Sequence, residues 1–116
     1  MALPVFNEGL DQAEVDRMVK NAQRATDFLK ALAHEGRLMI LCYLASGGER
    51  TVTELENFLG QRQAAVSQQL ARLRFEGLVE TRRDGKAIYY RLADGRAAQM
   101  LEVVYDLFCT DEKDGA

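Results

Sequence analysis

Gln63 to Leu92, QAAVSQQLARLRFEGLVETRRDGKAIYYRL, joins a polar-faced helix directly to a basic two-stranded hairpin. Val66, Leu70 and Leu73 recur at i, i+4 and i+7, the spacing that puts apolar side chains on one helical face. Gln63, Ser67, Gln68 and Arg72 are left pointing away from it. Ser and Gln side chains bond purine edges in a major groove wide enough for a helix, and long Arg side chains reach the flanking phosphates. Beyond Gly77 the period changes from 3.6 to 2, with Val79, Thr81, Arg83 and then Ile88, Tyr90, Leu92 alternating against charged or polar neighbours. Asp84-Gly85 lies between the two runs and suits the positive φ angles of a tight hairpin turn. Helix plus wing is a DNA-reading unit.

Composition sets the bounds around this unit. A chain of 116 residues, 47% of them hydrophobic, buries one modest core, and a dimer is the natural remedy for its small size. The chain has no apolar run near the ~18 residues of a membrane span and no signal-peptide pattern, so a cytoplasmic protein with reduced cysteines is expected. The net charge of −3 is unevenly distributed. Residues 61–91 hold seven basic and three acidic side chains, a net of +4, whereas residues 1–60 net −3 and residues 92–116 net −4. A local basic patch steers the molecule to DNA and makes binding salt dependent. A winged helix that binds protein instead would lack that concentration of charge.

Outward from the reading unit, residues 1–9 contain the one proline and no periodicity, and are expected to form a loose arm. Val15, Met18, Val19, Ala22, Ala25, Phe28, Leu29 and Leu32 predict a long amphipathic helix over about 11–33. A second helix, about 37–45, is apolar nearly all round (Leu38, Met39, Ile40, Leu41, Cys42, Leu44), closes at Gly47-Gly48 and belongs in the middle of the core. Thr51-Val52 is a short extended piece. Thr53 and Glu56 then form a Thr-x-x-Glu capping box that opens a third helix ending at Gly60. Two short helices about a glycine turn, the second polar-faced, make a helix-turn-helix. A last helix, about 95–109, carries Met100, Leu101, Val103, Val104, Leu107 and Phe108, and a frayed acidic tail over 111–116 is expected after it. The expected architecture is mainly α with a small β-hairpin, in the order α-α-(β)-α-α-β-β-α, with one folded domain over 10–110.

The succession of helix, LAHEGRLMIL, Thr-capped helix, VSQQLARLR, hairpin LVETRRDGKAIYYRL and helix resembles the ArsR family of winged-helix repressors across nearly the whole chain. The resemblance implies a homodimer through the first and last helices that binds double-stranded operator DNA of two-fold symmetry. It assigns base reading to Gln63, Ser67 and Gln68. Backbone contacts fall to Arg62, Arg72 and Arg74, and wing contacts to Arg83 and Lys86. Where the family usually opens the recognition helix with Ser or a similar cap, this chain has Arg62, which offers no acceptor for capping but can clamp a phosphate.

Metal ligands fit poorly. Where metal-sensing relatives carry Cys-x-Cys at the third helix, Thr51-Val52-Thr53 stands here, and hydroxyls without thiolates make no soft-metal site. On the last helix, Asp94 is followed by Arg96 where a His ligand is expected, and the chain has no His beyond His34, which reads as a packing or helix-start residue. Glu102 and Asp106 at i, i+4 read as an exposed acidic face. No metal and no cofactor are expected, and a metal-responsive repressor is the least favoured reading.

The two cysteines, Cys42 and Cys109, taken singly are small hydrophobes. As a pair, one in the second helix within LMILCYL and one at the end of the last, they resemble the sulfide-responsive branch of the family, the biofilm-growth and sulfide:quinone-reductase repressor type. That resemblance implies a dithiol switch: a persulfide or polysulfide inducer cross-links Cys42 to Cys109 and the operator is released. A general peroxide or thiol sensor with the same two cysteines stays open. An enzyme is not expected, because there is no Cys-x-x-Cys and no strand-helix-strand pattern around either thiol.

Overall fold

The structure, a computed structural model, describes residues 9–60, 63–93 and 95–109. The arm expected over 1–9, apart from Gly9, and the tail expected over 111–116 lie outside the described residues, as do Arg62 and Asp94, and the side chain of Gln63 is likewise not described. Among the described residues, five helices and three strands follow in the order α1 (Gln12–Leu32), α2 (Glu35–Gly47), β1 (Arg50–Thr51), α3 (Val52–Leu59), α4 (Gln63–Phe75), β2 (Val79–Asp84), β3 (Ala87–Leu92) and α5 (Gly95–Phe108). This is the expected winged helix-turn-helix order.

Side-chain chemistry sets the helix ends. Asp11 caps α1 by accepting from the Glu14 N–H at 2.8 Å. His34 caps α2, its Nδ1 accepting from the Arg37 N–H at 3.3 Å, so α2 starts at Glu35, two residues before the periodicity placed it. Gly48 at φ 80° closes α2, a conformation open to glycine without strain.

The opening of α3 corrects the sequence reading. The capping box is Thr51 with Glu54, not Thr53 with Glu56. The Thr51 hydroxyl accepts from the Glu54 N–H at 3.2 Å, and the Glu54 carboxylate accepts from the Thr51 N–H at 2.9 Å. Both Thr-x-x-Glu frames exist in TVTELE, and pairing decides between them. Arg50 and Thr51 add to the sheet opposite Tyr90 and Tyr89, which leaves Thr51 extended at φ −82°, ψ 165° and ready to cap. Starting there also brings Val52 into line with Leu55 and Leu59 on the core face of α3.

The sheet is antiparallel in the order β1-β3-β2. Its register pairs Val79 with Leu92, Thr81 with Tyr90 and Arg83 with Ile88, so the two alternating runs share one face as expected. The turn differs. Asp84 pairs with Ala87, so Gly85-Lys86 forms the two-residue loop, and Gly85 alone takes positive φ, at 63°. A glycine in the first loop position is the type II′ pattern, which matches strand twist as well as an Asp-Gly turn does.

Ile40, Leu41, Leu55, Val66, Leu70, Leu73 and Leu78 are the most deeply buried large side chains, and Ala31, Leu32, Leu44, Val79, Ala97 and Leu101 complete the core around them. α2 sits at its centre but is not covered all round: Met39 and Cys42 are exposed. The stripes of α1 and α5 are also bare in part, with Val15, Val19, Leu29, Val103, Leu107 and Phe108 open to solvent. The radius of gyration, 17.5 Å, exceeds the roughly 13 Å of a compact chain of this length. No helix among the described residues is long and apolar enough to cross a membrane.

Candidate nucleic-acid interface and thiol pair

The turn between α3 and α4 starts at Gly60, which takes φ 67° and donates its N–H to the Glu56 carbonyl at 2.7 Å. α4 then buries Val66, Leu70 and Leu73 completely, and this fixes the rotation of the helix. Ser67, Gln68, Arg72 and Arg74 are thereby exposed on the sides away from the core. Gln69, absent from the sequence reading, is used internally: its Oε1 accepts from Arg37 Nη1 at 3.0 Å. The same guanidinium donates to the carbonyls of Ala31 (2.7 Å) and Lys30 (3.2 Å), so one side chain of α2 ties the end of α1 to α4.

The basic charge is divided between free and engaged side chains. Among the described residues, Arg74, Arg83 and Lys86 have no ionic partner, and Lys86 stands at the wing tip. Arg72 lies 3.7 Å from Glu76, a single long i,i+4 contact worth a few tenths of a kcal/mol and without the two-pronged geometry of a tight ion pair. Arg82 and Arg91 are engaged on the opposite face of the wing. Arg82 Nε and Nη2 fork onto the Glu49 carboxylate at 2.8–3.1 Å, and its guanidinium lies over the Tyr89 ring at 4.8 Å. Arg91 donates to Glu80 at 2.8 Å and lies 3.8 Å from Glu49. Hydrogen bonding from Arg82, aided by the charges of Arg82 and Arg91, holds the Glu49 carboxyl below the usual range. No sequence spacing announces this cluster, because Glu49 comes from the loop after α2.

The second feature is a groove of about 470 Å³ between α2 and α5, lined by Cys42, Ala45, Ser46, Ala98, Leu101, Glu102, Tyr105 and Asp106. Cys42 is therefore not a core side chain, as an all-round apolar α2 implied, but a groove side chain. The small Ala45 and Ser46 on the same side leave α5 standing off. Cys109 follows α5, its N–H donating to the Tyr105 carbonyl at 2.8 Å, and it too is exposed. Partial burial pushes the Cys42 thiol up, and the charge of a Cys109 thiolate pushes it further.

The arsR-family model of bacterial regulatory proteins matches residues 34–81, from the cap of α2 into the wing. A biofilm growth-associated repressor of Xylella fastidiosa is 48% identical over 96 residues, covering 83% of both chains. The structure of reduced HlyU from Vibrio cholerae superimposes with a TM-score of 0.75 at 41% identity, over 81% of this chain and 98% of that one. A homodimeric winged helix-turn-helix DNA-binding domain from Mycobacterium bovis gives a TM-score of 0.72 at 33% identity, over 87% and 89% of the respective chains. With its helix-turn-helix, its basic wing and relatives at this level of identity, the chain belongs to the arsR family of bacterial regulatory proteins and is a transcriptional regulator, not an enzyme.

Proposed function

We propose that this regulator is a cytoplasmic homodimeric repressor that releases its operator when persulfide cross-links Cys42 to Cys109. The observation that carries the reading is that both thiols are free and exposed, Cys42 in the α2–α5 groove and Cys109 directly after α5. Three further points support it: the bare apolar stripes of α1 and α5, a homodimeric structural relative, and a relative described in a reduced form. Gln63, Ser67 and Gln68 read bases, while Arg62, Arg72, Arg74, Arg83 and Lys86 grip the backbone.

A Cys109 thiolate attacks the outer sulfur of RSSH, forming a cysteine persulfide and expelling RS⁻. Attack by Cys42 on the cysteine persulfide then expels HS⁻ and leaves a disulfide, so one RSSH and two thiols give a disulfide, RSH and hydrogen sulfide. A second RSSH before closure lengthens the chain by one sulfur, giving a trisulfide, two RSH and hydrogen sulfide. Burial pushes the Cys42 thiol up, so Cys42 suits the second role better than the first. A longer sulfur bridge also spans a wider gap than the ~7 Å Cα limit of a disulfide, and persulfide can build one where peroxide gives only the disulfide.

The test is intact mass and peptide mapping after treatment with glutathione persulfide or with peroxide, beside DNA binding of the same samples. A Cys42–Cys109 link formed by persulfide, with DNA release abolished in Cys42→Ser, is the expected result. Release of DNA by the Cys42→Ser protein refutes the dithiol switch, and an equally good link from peroxide makes the protein a general thiol-redox repressor.

A further inference from the structure

We propose that Glu49 is a built-in stand-in for DNA phosphate that keeps the outer face of the wing off the backbone and so suppresses binding to non-operator DNA. The inference needs only that the protein binds DNA through its wing, not the cysteine switch.

A hairpin tip set in or beside a groove has a phosphate strand within reach of each of its faces. On one face of this wing stands Arg83, with Lys86 at the tip, and neither has an ionic partner among the described residues. The other face carries Arg82 and Arg91 together with Glu80 and Asp84, and Glu49 is laid against it. That face holds two basic groups and three acidic ones, which makes it net acidic although it lies within the most basic stretch of the chain.

Glu49 is not part of the hairpin. It reaches Arg82 from 33 residues away in sequence and takes the two-pronged geometry, 2.8–3.1 Å to Nε and Nη2, in which a guanidinium grips carboxylate or phosphate alike. The Arg82 guanidinium also lies over the Tyr89 ring at 4.8 Å, a second contact that keeps it in place. The Arg82 and Arg91 side chains keep 42% and 48% exposure, and ion pairs so exposed to water add little to fold stability. The arrangement instead withholds two arginines from the counterion release that drives sequence-independent binding.

The experiment uses the full-length reduced protein and a labelled random-sequence duplex of about 30 base pairs, titrated by fluorescence anisotropy across a salt series. Each additional phosphate contact steepens the slope of log K against log salt by about 0.9, which at 0.1 M salt is about eightfold tighter binding. Glu49→Gln is expected to steepen the slope by about one to two and to tighten binding accordingly, and Arg82→Gln added to it is expected to remove most of the gain. An unchanged slope overturns the proposal. So does a gain that persists in Glu49→Gln/Arg82→Gln/Arg91→Gln, which reports only a lost repulsion, or a loss of binding with native circular dichroism, which makes Glu49 a scaffold. If Glu49→Gln does not fold, Arg82→Gln alone decides: a slope equal to wild type supports withholding, and a slope reduced by about 0.9 shows that Arg82 already contacts phosphate.

Discussion

Replacing Leu107 by Ala tests the α1/α5 surface as the dimer interface with little disturbance to the protomer. Leu107 is 64% exposed in one protomer, beside Val103 at 51% and Phe108 at 73% on the same helix. Leu→Ala removes three carbons, about 2.4 kcal/mol of burial at about 0.8 kcal/mol each, and only the exposed part remains for a partner to cover, about 1.5 kcal/mol. A two-fold interface contains the substitution twice, so the dimer is weakened by about 3 kcal/mol, roughly a hundredfold in dissociation constant. The protomer itself should change by no more than about 0.5 kcal/mol, since an exposed side chain supports little of its own core. Sedimentation velocity over a dilution series of wild type and variant measures the first quantity, and thermal melting at a concentration where both are monomeric measures the second. A dimer constant changed less than about threefold places the interface elsewhere. A large loss of monomer stability shows that Leu107 packs within its own chain.

Thr51→Ala removes the hydroxyl that caps α3 and should lower stability by about 1 kcal/mol, read as a fall in the denaturant midpoint without a change in slope. The cap also has an acid limit: hydrogen bonds from the Thr51 backbone and hydroxyl hold the Glu54 pKa below its unfolded value. Its contribution is therefore present above the unfolded pKa and lost as pH falls through the folded one, and Glu54→Gln should flatten that part of the acid titration. The rate of Cys42 alkylation against pH in Cys109→Ser should show a thiol still titrating above the ordinary range but lower than in wild type, because burial is the larger cause and the Cys109 charge the smaller. A wild-type profile unchanged by Cys109→Ser separates the two thiols and removes the basis of the switch.

Periodicity made most of the fold legible. The i, i+4, i+7 spacing of Val66, Leu70 and Leu73 found the buried face of α4, and the period-2 runs found the shared face of β2 and β3, because in both cases one burial direction governs every residue. The choices that depend on distant partners were not legible. Thr51 and Thr53 offer the same cap motif, and only the pairing of Thr51 with Tyr89 selects the first. Gly85 rather than Asp84 enters the turn because the ladder runs to the Asp84–Ala87 pair. Charge counting over residues 61–91 located the reading unit but treated Arg82 and Arg91 as available. Glu49, outside that window, engages both. The exposure of Cys42 was hidden for a similar reason, since an apolar helix gives no sign of which neighbour stands off from it.

On the proposed switch, Arg37 is the side chain through which a cross-link at the thiols would act on the DNA face. It sits in the first turn of α2, five residues before Cys42, or about 7.5 Å along the helix axis. From there it binds the last carbonyls of α1 on one side and Gln69 of α4 on the other. A cross-link that draws the Cys42 face of α2 toward the end of α5 therefore cannot tilt α2 alone. Either the guanidinium bonds break, leaving part-buried donors unpaired, or α4 moves with α2 relative to α1 and the dimer axis. In a symmetric dimer spanning half-sites about 34 Å apart, each recognition helix stands about 17 Å from that axis. A rotation of about 5° then displaces its base-reading side chains by about 1.5 Å, roughly three times the width of the ~2.7–3.2 Å window within which hydrogen bonds to base edges hold. The proposed cross-link would therefore not need to deform the helix-turn-helix to disable it, because a rigid tilt of about 5°, opposite in the two protomers, would be enough to take both reading heads out of register.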